Sequence, residues 1–266
     1  MEPRTAAIAG AAVPAAHESP RPGQPARISV IIPTLQEEKL IVGTLRQFTE
    51  ELRRDENLEV IVSDGGSRDR TVELALPLAD RVVRHDLPTP QTIAMGRNRG
   101  ADAATGDIFV FLSADVMIAD PQAFFRVMRE AALRPGVAAA TCNVLVPPDQ
   151  ETLKDTLYHG FFNWYFRILN DLGMGMGRGE CHVMRAQSYR ATGGYDESLA
   201  AGEDYELFLR LHRMGKIAFV RTLTVYESPR RYRRYGYFRI TCLWLLNGLG
   251  VLLFKRSMVH EWKPVR

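Results

Sequence analysis

Three apolar runs in this chain end on carboxylates. "ISVIIP" leads into Thr34 and Glu37, "EVIVS" into Asp64 with Gly65 and Gly66 behind it, and "DIFVFL" into Ser113 and Asp115. A fourth stretch, "AAGEDYELFLRLH", carries Glu203 and Asp204 just ahead of a helical apolar repeat. Carboxylates of this kind can ligate a hard divalent cation through oxygen, or take a proton from a hydroxyl as a general base. Each also has a plainer use. Asp at a strand end starts turns and caps helices, and an acidic pair at a helix N-terminus compensates the helix dipole. What separates these uses is whether the intervening elements bring the carboxylates to one place.

From Arg27 onward strands and helices alternate. "ISVIIP" (28–33) is a β-branched run that suits a fully buried parallel strand. "EEKLIVGTLRQFTEELRR" predicts one helix with Ile41, Leu45, Phe48 and Leu52 on one face and Glu37 and Glu38 in its first turn. "LEVIVSDGGS" (58–67) is a second strand, "RDRTVELALPLA" a short helix, Arg81–Arg84 a third strand, 92–104 a helix closed by Gly106, and "IFVFL" a fourth strand. This rhythm predicts a doubly wound α/β sheet with right-handed crossovers, whose ligands lie outside the carboxyl ends of the strands. Pro33, Thr34, Glu37, Asp64, Gly65, Gly66, Ser113 and Asp115 then share one rim. Leu207, Leu211 and Met214 follow helical spacing, which puts Glu203 and Asp204 at a helix N-terminus. If that helix packs on the rim, Asp204 is placed to deprotonate an acceptor hydroxyl.

Several ligand classes are excluded. A net charge of +3 is too small to argue for nucleic acid. Neither the dinucleotide fingerprint nor the nucleoside-triphosphatase loop follows the first strand, and "GMGMGRG" (173–179) fits neither spacing, reading instead as a loop with a lid role. Cys142, Cys181 and Cys242 are odd in number and far apart, as reduced thiols in a reducing compartment are. Carboxylates beside a close-approach glycine turn suggest a nucleotide whose base and ribose meet Asp and Glu. Its diphosphate would meet Mg2+ or Mn2+ held by Asp115. Residues 1–26, rich in Ala and Pro, read as a disordered tail rather than a signal peptide.

Four stretches in order, "ISVIIPTLQEEKLIVGTL", "EVIVSDGGSRDRTVELA", "GRNRGADAATGDIFVFLSADV" and "CHVMRAQSYRATGGYDESLAAGEDYELFLRLHRMG", resemble glycosyltransferase family 2, over roughly residues 27–227. The resemblance implies a single GT-A domain, Rossmann-like with a mostly parallel sheet. It also implies transfer of a sugar from a nucleotide-diphosphate sugar to an acceptor hydroxyl, with inversion and a divalent cation, Mg2+ or Mn2+. On the family pattern Pro33, Thr34 and Glu37 line the nucleoside pocket and Asp64 binds the base beside Gly66. Arg97 and Asn98 sit near the ribose or diphosphate, Ser113 and Asp115 occupy the metal motif, and Asp204, paired with Glu203, is the catalytic base. Two positions depart from the pattern. Gln36 stands where the family has Asn, and the uncharged Ser113 stands where it has Asp. Glu227, at the end of "RTLTVYES", is the candidate to complete the metal shell. Two rival functions have less support. A sugar nucleotidyltransferase needs a glycine-rich basic loop where this chain has "PTLQEEK", and a catalytically silent sugar-nucleotide-binding protein is favoured by Ser113 alone.

Residues 228–266 leave the soluble pattern. Ile240–Phe254 is uncharged and bounded by an arginine cluster and by Lys255 and Arg256. As a helix it would span ~22 Å against the ~30 Å of a hydrocarbon core. A membrane-lying or re-entrant helix, a short spanning helix and a core or dimer helix are all open readings; the Trp, Tyr and Arg at its edges are interfacial anchors. Arg230 and Arg233 are candidates to contact the diphosphate or the acceptor. The chain therefore reads as a tail (1–26), a GT-A domain (27–227) and a basic, hydrophobic C-terminal helix (228–266). That helix would hold the enzyme at the inner face of the cell membrane, near a lipid-linked acceptor.

Overall fold

The computed structural model describes residues 7–9, 25–86, 90–259 and 265. The tail expected over 1–26 lies mostly outside these; within it, β1 (Ala7–Ala9) runs parallel to a later strand, pairing Ile8 with Val82. The first half of the fold follows as β2 (Ile28–Thr34), α1 (Ile41–Arg46), α2 (Glu50–Asp55), β3 (Leu58–Asp64), α3 (Thr71–Ala75), β4 (Arg81–Arg84), α4 (Ile93–Asp102) and β5 (Ile108–Leu112). The second half comprises β6 (Val116–Ile118), α5 (Pro121–Leu133), β7 (Val137–Leu145), α6 (Leu153–Asp171), β8 (Cys181–Arg185), α7 (Ala186–Thr192), α8 (Glu203–His212), β9 (Lys216–Glu227), α9 (Arg230–Tyr235) and α10 (Tyr237–Phe254).

The strands form one mixed sheet in the order β1-β4-β3-β2-β5-β8-β7-β9-β6. From β1 to β5 every pairing is parallel; β8 is antiparallel to both β5 and β7, β9 is parallel to β7, and β6 is antiparallel to β9. All of β3 and β5 is buried, as expected of strands covered on both faces. The pleat sends alternate side chains to opposite cores. Val30, Ile32, Val60 and Val62 join Phe124, Phe125 and Met128 of α5, while Ile31, Ile61, Phe109 and Phe111 join Tyr189, Leu207 and Phe208 from α7 and α8. The β2–β3 register sets Thr34 beside Asp64 and so brings two polar strand ends together.

The single helix expected after β2 is two. Thr49 breaks it and caps α2, its hydroxyl accepting the Leu52 N–H at 3.2 Å, although Ile41, Leu45, Phe48 and Leu52 are all buried as read. Glu37 and Glu38 precede α1, which has no acidic residue in its first turn. The cause is Gln36, whose φ of 55° turns the chain; Asn enters this left-handed region more readily than Gln. The Gln36 and Glu37 amides donate to Ser67 Oγ and Thr71 Oγ1, each at 2.7 Å, and the Glu37 side chain is aimed across the rim. Met214 is also corrected: α8 ends at His212 and Met214 is exposed.

The glycine run 173–179 lies against α8. A Cβ on Gly177 would stand 2.4 Å from the Phe208 ring, and one on Gly175 2.4 Å from His212 Cβ. Close approach to the helix, rather than a lid, accounts for these glycines. Gly177→Ala must displace a fully buried aromatic ring, an overpacking cost of about 1–3 kcal/mol. We expect Tm to fall by about 2–4 °C per kcal/mol, and an unchanged thermal unfolding curve would refute this packing.

Candidate active site

A cleft of about 1170 Å³ opens at the carboxyl ends of β2, β3 and β5. Its other walls are the loop 178–180, the first turn of α8, the end of β9, and residues from α9 and α10. It exceeds the usual ~300–1,000 Å³ of a single small-ligand site.

At one end Pro33, Thr34 and Gly66 line the wall. Asp64 does not. Its carboxylate is fully buried, Oδ1 accepting the Gly66 and Ser67 amides at 3.0 and 2.8 Å and Oδ2 accepting the Ser67 and Thr34 hydroxyls at 2.5 and 3.2 Å. Asp64 thus builds the turn that presents Gly66, at φ +91°, and the expectation that it meets a base directly is corrected.

In the middle of the cleft Arg230 binds Glu37 in a two-pronged ion pair, both contacts 2.8 Å, and reaches Asp115 Oδ2 at 3.2 Å. Burial pushes the Asp115 carboxyl above its ordinary range, with Arg230 opposing. Ser113 lines the cleft beside it and donates to the Gly179 carbonyl at 3.4 Å. Behind them Arg178, buried, holds Glu227 Oε1 at 2.7 Å, and the Tyr232 hydroxyl donates to the same oxygen at 2.9 Å. Burial and the neighbouring Glu180 push Glu227 well above the usual carboxylate range. Glu180 also lines the cleft, its Oε2 ion-paired with Arg178 Nε at 3.4 Å. His159 backs this group and is pushed down to about 4 by burial and Arg178, so it is neutral at pH 7. Among the described residues no three His, Cys, Asp or Glu side chains form a protein-only metal cage.

At the other end Arg97, buried, pairs with Glu203 Oε1 at 2.6 Å and donates to the Gly179 carbonyl at 2.8 Å. The Glu203 carboxylate is therefore committed to Arg97. Asp204, next along the helix, faces the cleft with Oδ1 accepting the Tyr205 amide at 2.9 Å. Burial, then the Glu203 charge, push Asp204 up to about 7.

Two expected site residues point elsewhere. Asn98 follows Arg97 on α4 but is turned away from the cleft: its amide donates to the Tyr195 carbonyl and to Glu197, and its oxygen accepts the Tyr195 amide, all within 2.9 Å. Arg233 pairs with Asp155 at 2.6 Å and with the Tyr237 hydroxyl, tying α9 to α6; Arg231 lines the cleft instead. Conversely, Arg178, Glu180 and Tyr232 belong to the site without having been singled out in the sequence. The signal for the first two was only their place in and just after the glycine run.

A carboxylate-lined cleft at the strand ends of a sheet with this strand order defines a GT-A nucleotide-sugar fold. The chain belongs to glycosyl transferase family 2, whose family model matches residues 29–191. It is 27% identical over 236 residues to validoxylamine A glucosyltransferase of Streptomyces hygroscopicus subsp. limoneus, covering 74% of this chain and 51% of that protein. It is 28% identical over 251 residues to a succinoglycan biosynthesis protein of Rhizobium meliloti, covering 88% and 71%. Among solved structures, a mannosyltransferase from Pyrobaculum calidifontis in complex with GDP-Man and Mn2+ superposes with a TM-score of 0.61 at 21% identity, covering 79% of this chain and 59% of that one. The chain thus spans about half the length of the glucosyltransferase it matches.

Proposed function

We propose that this protein transfers a sugar from a nucleotide-diphosphate sugar to an acceptor hydroxyl, with inversion at the anomeric carbon and with a divalent cation. The carrying observation is that the two chemical needs of this reaction lie at separate places in one cleft: Asp204, tuned to about 7, and the acidic and basic group around Asp115 and Arg230. The donor complex of the Pyrobaculum mannosyltransferase supports the same class of donor.

Thr34 and Gly66 hold the nucleoside, with Asp64 fixing the Thr34 hydroxyl and the Gly66 amide, and Glu37 stands between them and Arg230. Asp115 suits a hard cation, because its carboxylate lines the cleft with only Arg230 against it, whereas Glu180 and Glu227 are both held by Arg178. Asp115 would hold Mg2+ or Mn2+, with Glu180 and Glu227 behind it; such ions take few protein carboxylates and complete their shell with water and phosphate oxygens. When bound, the ion neutralises charge building on the departing diphosphate. Arg230, released from Glu37 and Asp115, is within reach to add a charge-assisted contact to the same group. At the far end Asp204 takes the proton as the acceptor oxygen attacks the anomeric carbon, while the bond from that carbon to the diphosphate breaks. Arg97 holds Glu203, so Asp204 alone is left to do this.

Phe166, Tyr205, Tyr232 and Trp244 line the cleft, and this aromatic wall supports a lipid-linked acceptor. The apolar α10 supports association with the inner face of the cell membrane. Its 18 residues have a mean hydropathy of 1.5 and 22% of them are buried.

The test is a panel of nucleotide-diphosphate sugars with and without Mn2+. One should raise Tm, lose that effect on chelation and hydrolyse slowly; no stabilisation by any of them would overturn the reading. A pH profile gives a second check. Asp204 must be ionised to accept a proton, so kcat should fall about tenfold per pH unit below about 7 and level off above it. Glu203→Gln removes the neighbouring charge and should move this limb to lower pH. A wild-type rate flat from about pH 5 to about pH 9 would remove Asp204 from the role.

A further inference from the structure

We propose that α6 joins α10 in a two-helix face that docks flat on an anionic bilayer. This inference rests on the membrane association proposed above and adds to it a second helix, an orientation and a lipid charge.

The observation is a helix with a stripe of large apolar side chains left uncovered. On α6, Leu153, Leu157, Phe161 and Trp164 fall at helical spacing on one side and are 74%, 66%, 54% and 50% exposed. The polar Asp155, His159 and Asn163 share the opposite, buried side with Phe162 and Phe166. A surface helix of a soluble domain turns such a stripe toward the core. Beside it, α10 exposes Leu245, Leu246, Leu249, Leu252 and Leu253. The two helices are joined by the Tyr158 hydroxyl bonded to Thr241 at 3.1 Å and by Phe162 packed edge-on against Trp244 at 5.8 Å. Soluble monomers rarely expose contiguous apolar patches beyond a few hundred Å².

Packing favours a helix that lies on the membrane over one that crosses it. Ile240, Asn247, Gly250 and Val251 of α10 are buried. Asn247 Oδ1 accepts the Ser257 hydroxyl and the Met258 amide, each at 3.0 Å, and Val251 abuts Gly202 at the start of α8. One side of α10 is thus fastened to the domain while the other is apolar, which is the form of an interfacial helix.

Charge identifies the surface. Of the five arginines before α10's apolar run, Arg230 and Arg233 are paired with carboxylates and Arg231 lines the cleft, which leaves Arg234 and Arg239; Lys255 and Arg256 follow the run, and no acidic residue lies between Ser228 and Val259. Arg234 and Arg239 are exposed, stacked over the Tyr235 ring at 5.7 and 5.5 Å, and flank Phe238, which is 83% exposed. Lys255 and Arg256 are exposed at the other end. Basic residues at both ends of an apolar face, with aromatic anchors between, complement an anionic leaflet. Phe166 of α6 and Trp244 and Asn247 of α10 also line the cleft, so docking would bring the cleft beside the bilayer.

The test is cosedimentation of the full chain with vesicles of phosphatidylcholine alone or mixed roughly equally with phosphatidylglycerol, a strongly anionic surface. The wild-type chain should bind the mixed vesicles, release as salt rises, and bind pure phosphatidylcholine weakly. Leu157→Glu with Phe161→Glu should reduce partitioning at least tenfold without changing Tm, because both side chains are exposed. Leu153→Ser with Leu157→Ser, a milder pair, should reduce it less. If the wild-type chain binds and both pairs bind equally well, α6 is not part of the face, although the α10 reading survives. If the wild-type chain ignores vesicles, both readings fall. If it instead forms a dimer that the Leu157 and Phe161 pair dissociates, the face belongs to a second copy and the proposal is overturned.

Discussion

Asp204→Asn should cut the transfer rate by at least ~10²-fold, the lower bound for loss of a general base, while nucleotide-sugar affinity stays within about twofold. The split follows from geometry. Asp204 sits at the first turn of α8, whereas the nucleoside wall is built by Thr34 and Gly66 and the charged centre by Glu37, Asp115 and Arg230. Asn keeps the size of the side chain and an oxygen for the Tyr205 amide, so the helix start survives. What it loses is the ability to take a proton. Single-turnover kinetics with donor affinity measured separately would check this. A variant keeping more than a tenth of the wild-type kcat would return the Glu203–Asp204 pair to helix-dipole compensation.

The second large effect is expected at Asp115. Asp115→Asn should lower donor nucleotide affinity in Mn2+ to the level found with chelator, a loss of at least about tenfold, the scale typical when support of a metal site is removed. Asp115 shares the Arg230 guanidinium with Glu37, so ion and arginine compete for one carboxylate. Arg230→Ala should therefore separate the two functions: Mn2+ binding alone tightens, while the nucleotide diphosphate loses a cationic contact and binds more weakly. Calorimetry of Mn2+ and of nucleotide with each variant reads both. Equal nucleotide affinity for wild type and Asp115→Asn, with and without Mn2+, would make Asp115 a turn residue at the end of a strand.

Both predictions concern residues legible in the sequence, because each stands at a local break in periodicity. An apolar run that stops at Leu112 must put Ser113 and Asp115 at a strand end, and a repeat through Leu207 and Leu211 must put Asp204 at a helix start. The same local logic found β4 at its observed bounds and β3 at its observed start, since a buried strand is an uninterrupted apolar run closed by turn residues. It failed after β2, where the spacing of Ile41, Leu45, Phe48 and Leu52 is compatible with one helix or two. A capping threonine decided for two.

The destinations of side chains were less legible. Asp64 occupies the expected strand end, yet its carboxylate turns inward to amides and hydroxyls within its own turn and from the adjoining β2. Asn98 is one residue from Arg97, and ~100° of helical rotation sends it to a different neighbour. Residues 228–266 read as a localising tail with Arg230 as a candidate diphosphate or acceptor contact; Arg230 does line the cleft, but so do Tyr232 and Trp244, and Arg230 meets Glu37 across 193 residues of chain. On α6 large apolar residues occupy both the buried side (Phe162, Phe166) and the exposed one (Leu153, Leu157, Phe161, Trp164), so no period distinguished its core face from its exposed one.

The sequence by itself determined the alternating elements, the strand-end rim and the types of group placed on it, because these follow from short-range periodicity and turn chemistry. Tertiary structure alone decided which carboxylates face the cleft, which arginine balances each, and which side of α6 and α10 is left uncovered. Those outcomes depend on strand order, on the antiparallel insertion of β8 between β5 and β7, and on ion pairs between distant segments. No local pattern encodes them, because the free energy of burying a charge or an apolar face depends on the partner that folding brings to it.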